Sequence, residues 1–182
     1  MHRKNRIILR QLYKITMKWI AIAGGWRKTN ALIEKEVSFL VREILIAGNG
    51  IVSGGALGVD YIATEVALDM GVEANQLKII IPTSLNTYRK HYLKRAKEGI
   101  ITENQATMLI AQLEEVQRRG CLIEGTDIIL EKETYYDRIK KIIESADELV
   151  AFHINQTEGT QYTIDQAHKK GVPVKLFTYT IL

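Results

Sequence analysis

Three loops of the sequence combine glycine with hydroxyl, cationic or acidic side chains, a combination suited to binding a phosphate group. Each loop follows an apolar run and precedes a helix-like pattern. Unpaired backbone N–H groups and the helix dipole favour an anion at such a helix start, and glycine lets the backbone approach it closely. The candidate ligand-binding residues of these loops are Gly24, Gly25, Arg27, Ser53, Gly54, Gly55, Gly58, Asp60, Glu158, Gly159 and Thr160.

Two further residues, Pro82 and Thr83, join the candidate ligand-binding set because they follow the third apolar run. The role of Asp60 stays open between three interpretations. Its carboxylate accepts a ribose hydroxyl, or it holds Arg27 in place, or it is only stabilised by the dipole at the start of a helix.

Several kinds of chemistry find no support in the sequence. The first strand is not followed by the GxGxxG order of dinucleotide-binding folds, and GxxxxGK[ST] is missing throughout, so we expect neither hydride transfer nor ATP hydrolysis. We predict no cofactor. The four histidines lack the spacing of a zinc site, so we predict no metal site either.

Cysteine content and hydropathy bear on the compartment. Cys121 is the only cysteine, so no intramolecular disulfide can form, and a reducing compartment is expected. No apolar run approaches the roughly 20 residues that span a bilayer. We therefore predict a cytoplasmic protein with no membrane partner.

The basic character of the chain is concentrated at its start. The net charge is +4, but residues 1–18 hold six of the 25 basic residues and none of the 21 acidic ones. The rest of the chain has a slight acidic excess, unlike a dedicated duplex-binding protein. We divide the chain into a basic N-terminal extension, 1–17, and a single domain, 18–182. Met17 leaves open that the extension lies upstream of the true start.

Alternating short apolar runs and amphipathic segments must position the three loops. Apolar runs at 18–25, 50–55, 77–84, 147–154 and 172–179 predict strands with helices between them. This pattern is typical of an α/β protein with a three-layer α/β/α architecture and a mainly parallel sheet. Residues 86–123 interrupt it, and the capping-box pair Thr102 and Gln105 predicts a helical insertion between strands 3 and 4. Ligands of such sheets bind beyond the carboxyl ends of the strands, where the three loops should converge.

The first two loops resemble the core of the DNA-processing protein A (DprA/Smf) family. IAIAGGWR matches its first-strand G-S-R motif, and GIVSGGALGVD matches its second motif, S-G-x-A-x-G-x-D. Further along, YYDRIKKIIESADELVAF is similar to the family's basic helix and puts Arg138 at a motif arginine, which adds Arg138 to the candidate set. EGTQYTIDQAHKKGVPV resembles the segment that leads to G-x-P-V. The resemblance spans residues 18–177.

This resemblance implies a Rossmann-like fold of the SLOG (SMF/DprA-LOG) superfamily. The superfamily includes DNA-binding recombination mediators, phosphoribohydrolases of the Lonely Guy type and sensors of nucleotide-derived ligands. Two departures matter. Trp26 stands at the serine of the first motif, where it either stacks on a base or packs against the sheet. Thr163 stands where the hydrolases carry their glutamate, which leaves Glu158 and Asp165 as the only candidate catalytic residues.

The leading hypothesis is therefore a homodimeric protein that binds a nucleotide or nucleotide derivative without strong catalytic turnover. Two alternatives stay open. One is cleavage of an N-glycosidic bond in a nucleoside monophosphate, which needs a carboxylate at the sugar. The other is binding of single-stranded DNA, using the basic extension and the segment 88–97, where tyrosines alternate with basic residues. A solvated helix face is a competing interpretation of that segment.

Overall fold

The structure is a computed structural model that describes residues 16–181. The N-terminal extension, 1–17, therefore lies almost entirely outside the described residues. No helix within 16–181 is long and apolar enough to cross a membrane.

Within residues 16–181, six parallel strands form one sheet. Their order is β4-β3-β2-β1-β5-β6, and their bounds are β1 Trp19–Gly24, β2 Gly50–Ser53, β3 Leu77–Ile81, β4 Leu122–Glu124, β5 Glu148–Ile154 and β6 Val174–Tyr179. The central strands are apolar without alternation because helices cover both faces of the sheet. All four residues of β2 are buried.

In the part of the chain that the structure describes, six helices cover the two faces of the sheet. Their bounds are α1 Ala31–Ile46, α2 Val59–Asp69, α3 Leu85–Lys97, α4 Glu103–Arg118, α5 Lys132–Glu144 and α6 Glu158–Lys170. The first four helices share one apolar cluster with one face of the sheet. Helices α5 and α6 share a second cluster with the other face. This arrangement confirms the predicted Rossmann-like three-layer fold.

Local signals in the sequence set several helix ends. The Asn30 side chain accepts a hydrogen bond from the Ile33 N–H at the start of α1, as an N-cap does. Thr102 and Gln105 form the predicted capping box of α4. Gly48, just beyond α1, has φ of +81°, which glycine adopts at little cost.

The interrupting segment, predicted as a helical insertion over 86–123, contains α3 and α4 and then β4, a strand that the sequence did not predict. Strand β4 pairs with β3 at the edge of the sheet, with Leu122, Ile123 and Glu124 opposite Ile79, Ile80 and Ile81. A three-residue edge strand is too short to show alternation, so the sequence pattern gives no sign of it.

The strand order reverses between β1 and β5. Successive crossovers lead outward from β1 through β2 and β3 to β4, and the next strand, β5, lies on the opposite side of β1. The loops that leave β1 and β5 therefore diverge at their carboxyl ends, which opens a crevice.

Candidate functional site

A cavity of about 610 Å³ occupies the crevice beyond β1 and β5. The three glycine-containing loops form one side of it, and α3 and α5 contribute the other side. Eight of the predicted ligand-binding residues line this cavity: Gly24, Gly25, Arg27, Gly54, Asp60, Arg138, Gly159 and Thr160.

The other predicted ligand-binding residues lie outside the lining: Ser53, Gly55, Gly58, Pro82, Thr83 and Glu158. Ser53 is buried and its hydroxyl donates to the Ile22 carbonyl at 3.0 Å. The Thr83 hydroxyl donates to the carbonyl of Asp127. The Pro82 carbonyl packs against Gly125, where a Cβ atom would lie 2.0 Å from its oxygen. These residues support the loops rather than face the cavity.

Glycines of the first two loops allow the loops to touch. A Cβ atom at Gly58 would lie 2.2 Å from the Gly25 carbonyl oxygen, and one at Gly24 would lie 2.5 Å from a methyl carbon of Val59. The Val59 N–H donates to the same Gly25 carbonyl at 3.3 Å. Gly55 has φ of +61° and faces the core side chains of α4 and β3. Close packing thus accounts for these glycines without a ligand.

Gly54 makes room for a cation inside the protein. Arg138 Nη1 donates to the Gly54 carbonyl at 2.8 Å, and a Cβ atom at Gly54 would lie 2.7 Å from the guanidinium carbon. The same Cβ atom would lie 2.9 Å from the carboxylate of Asp60. Gly54 of the second loop therefore lies against both the guanidinium of Arg138 and the carboxylate of Asp60.

Asp60 is 8% exposed, and this burial raises the pKa of its carboxyl, with Arg138 acting in the opposite direction. The carboxylate also accepts the Ala56 N–H at 3.4 Å. Arg27 is held elsewhere, because its Nη1 donates to the Ile100 carbonyl at 2.6 Å. Among the three roles considered for Asp60, an electrostatic interaction with an arginine fits best, but that arginine is Arg138, whose charge acts on the carboxylate while its Nη1 donates to the Gly54 carbonyl.

Replacing Arg138 by methionine is expected to destabilise the protein by about 2 kcal/mol near neutral pH, because the buried Asp60 carboxylate loses its cation. A protonated carboxyl needs no cation. The loss should therefore shrink as the pH falls through the raised pKa of Asp60 towards its unfolded value of 3.8. Urea unfolding over this pH range measures the effect. An Asp60→Asn background should remove the pH dependence, and a loss that is independent of pH in the native background would contradict the prediction.

Several lining residues were not in the candidate set. From α3 come His91, Tyr92 and Arg95, and from α5 come Tyr135 and Tyr136. The alternation of tyrosine with basic residues in 88–97 was the available signal. Tyr88 and Tyr92 are buried, whereas His91 and Arg95 are partly exposed in the cavity. One side of α3 thus faces the site and the other is solvated.

The lining is cationic. Among residues 16–181 it contains the cations Arg27, Lys28, Arg95 and Arg138 and one carboxylate, that of Asp60. Such a balance in a concave site concentrates an electrostatic potential that attracts anions.

Neither candidate catalytic residue faces the cavity. The Glu158 carboxylate forms an ion pair with Lys132 and accepts the Tyr136 hydroxyl at 2.9 Å. The hydrogen bond from Lys132, followed by that from Tyr136, lowers the pKa of Glu158. Asp165 accepts from the Gln161 amide at 2.8 Å on the exposed surface. The geometry therefore places neither Glu158 nor Asp165 where it could act on a sugar bound in the cavity.

Solved structures of other proteins share this fold. DNA processing protein A from Helicobacter pylori superposes with a TM-score of 0.66 at 24% identity, covering 87% of this chain and 64% of that one. DNA processing protein A (DprA) from Streptococcus pneumoniae gives 0.61 at 20% identity, covering 91% and 52%. The protein TM1055 gives 0.52 at 17% identity, covering 87% and 72%. At these identities the likeness shows the fold alone.

The chain is shorter than its structural relatives, spanning 64% and 52% of the lengths of the first two. No curated protein matches it. The family model described as DNA recombination-mediator protein A matches residues 11–181, nearly the whole chain. The chain therefore belongs to the DNA recombination-mediator protein A family.

Proposed function

We propose that this chain binds single-stranded DNA in the cavity between β1 and β5. The observation that carries the proposal is the lining, which combines four cationic side chains with three partly exposed aromatic ones, Trp26, Tyr135 and Tyr136. The Helicobacter pylori relative is described by its single-stranded DNA binding mode, and the shared family supports the same class of ligand here.

Cations and aromatic rings serve different parts of a single strand. Arginine and lysine pair with backbone phosphates, and unpaired bases stack on aromatic faces irrespective of sequence. Base faces in a duplex are already stacked, so the aromatic component favours an unpaired strand.

The exposed face of α3 extends the cationic surface away from the cavity. Lys90, Lys94 and Lys97 are exposed there, next to the lining residue Arg95. Lys94 has only an exposed carboxylate, Glu98, at 3.7 Å. Such exposed pairs contribute little, so a phosphate can compete for the lysine. We propose that the strand leaves the cavity along this helix.

Fluorescence anisotropy with a labelled oligothymidylate of about 20 nucleotides tests the proposal. The full chain should bind it, and the affinity should fall as salt rises, with a log–log slope of about −2 for three phosphate contacts. Unlabelled duplex of equal length should compete poorly. Absence of binding at low salt, or equal competition by duplex, would overturn the proposal.

A small nucleotide is a second candidate ligand, because about 610 Å³ lies within the range of small-molecule sites. Mononucleotides added to the anisotropy assay distinguish the two. If a free nucleotide is the ligand, it should displace the oligonucleotide at micromolar concentration. If the site is built for a strand, millimolar concentrations should be needed.

Acidification is expected to strengthen DNA binding about threefold as the pH falls from about 7 to 5.5, because His91 in the lining becomes cationic. Burial, reinforced by Arg95 and Lys94 and opposed by Glu98, lowers the pKa of His91 below 6.5, and its Nε2 lies 3.3 Å from the Tyr135 hydroxyl. The gain should therefore appear only below the ordinary pKa.

Protonation of His91 is expected to have the opposite effect on the stability of the free protein, which it lowers. Because the folded state disfavours the charged imidazole, the contribution of His91 to the stability of the free protein is present above pH 6.5 and is lost as the pH falls below it. Anisotropy and urea titrations at each pH measure both effects. His91→Gln should remove the binding gain, and a gain that persists in this variant would contradict the role of His91.

A further inference from the structure

Trp26 lines the cavity and is partly exposed to solvent. It follows the end of β1 and keeps 36% of its surface exposed. Large aromatic side chains usually bury most of their surface, so an exposed tryptophan in a concave cationic site is available to a ligand.

The guanidinium of Arg27 covers one face of this indole. Its central carbon lies 4.2 Å from the ring centroid, a cation–π arrangement. Arg27 is itself fixed, because its Nη1 donates to the Ile100 carbonyl at 2.6 Å and its backbone has φ of +71°. Because Arg27 covers one face, a ligand that stacks on the indole has to use the other face.

We infer that Trp26 is a stacking platform that holds one base of the bound strand on the indole face not covered by Arg27. This inference rests on the proposed DNA-binding function. The base, the indole and the guanidinium then form a three-layer stack, while the neighbouring phosphates meet the cationic lining. Every base has a π-face, so the contact adds affinity without selecting a sequence.

The competing role for Trp26 is to hold Arg27 in place for the phosphates. A double-mutant cycle separates the two roles, with Trp26→Ser on the protein side and removal of bases on the DNA side. The two ligands are an oligothymidylate and an abasic strand of equal length, which keeps the phosphates and lacks the bases.

If Trp26 stacks on a base, Trp26→Ser should weaken binding of the oligothymidylate about tenfold and leave binding of the abasic strand nearly unchanged. Trp26→Phe, which keeps an aromatic face, should retain most of the affinity. An equal loss with both ligands would assign Trp26 to positioning Arg27 and overturn the inference, as would no loss with either. Thermal melting confirms that each variant is folded. If the Trp26→Ser variant does not fold, the Trp26→Phe variant still tests the role of the aromatic ring.

Fluorescence provides a readout that a positioning role would not change. In a Trp19→Phe background, Trp26 is the sole tryptophan of the chain. Oligothymidylate should quench its emission in step with the anisotropy change, and the abasic strand should quench little. Equal quenching by both strands would contradict base stacking. Failure of the proposed function is distinct, because native protein would then bind neither strand.

Discussion

Replacing Gly58 by alanine is expected to lower the free energy of unfolding by about 3 kcal/mol, the largest loss we predict for a single methyl group. Two costs combine. Gly58 has φ of +77°, where an L-residue is strained, and its new Cβ atom would lie 2.2 Å from the Gly25 carbonyl oxygen. That oxygen belongs to backbone and accepts the Val59 N–H, so it cannot move without separating the first two loops.

Two other glycines separate these costs. Gly48 has φ of +81° with nothing within 4 Å of its Cβ position, so Gly48→Ala should lose only the backbone term, about 1 kcal/mol. Gly159 in α6 has open space and an ordinary φ, so Gly159→Ala should be neutral or slightly stabilising. Urea unfolding of the three variants measures the series. A loss in Gly58→Ala no larger than that in Gly48→Ala would contradict the contact between the loops.

Reversing two cavity charges together, Arg27→Glu and Arg95→Glu, is expected to weaken binding of single-stranded DNA about 100-fold. Each reversal removes an attraction to phosphate and introduces a repulsion. The log–log slope of affinity against salt should also become shallower by about 0.7 for each lost contact with the single strand.

The matched control places the same charge change elsewhere. Arg42 in α1 and Arg118 in α4 are exposed and lie outside the cavity, so reversing both alters the net charge equally. We expect less than about a threefold change from this pair at moderate salt, where distant exposed charges are screened. Similar losses from the two pairs would show that binding follows the net charge of the protein rather than the cavity.

Much of the fold was predictable because its signals are local. The apolar runs of β1, β2, β3 and β5 have no alternation because both faces are covered, and caps such as Asn30 and Thr102 act within one helical turn. Strand β4 was missed because it forms through a tertiary contact with β3, and a segment of three residues is too short to show a strand pattern.

The site was less predictable because the direction in which each side chain points depends on contacts with residues distant in the sequence. The glycines of the second loop indicated a phosphate-binding loop, yet Gly58 packs on Gly25 and Gly54 accommodates Arg138. Glu158 belongs to a predicted binding loop, but its carboxylate is held by Lys132 from a different helix. Arg95 reaches the cavity from α3, across the sheet from α5, and no spacing within the sequence reveals that approach.

The affinity of a full chain with a neutralised N-terminal extension for oligothymidylate shows whether the cavity is the DNA-binding site. Arg3, Lys4, Arg6, Arg10 and Lys14, the basic residues of 1–15, are replaced by glutamine, which removes the electrostatic contribution of the extension while leaving the cavity intact. If the cavity is the binding site, anisotropy should show salt-dependent binding within about threefold of the native affinity, and adding Arg27→Glu and Arg95→Glu should weaken it about 100-fold. Loss of binding on neutralising the extension alone would place the DNA on the extension and contradict the assignment of the cavity.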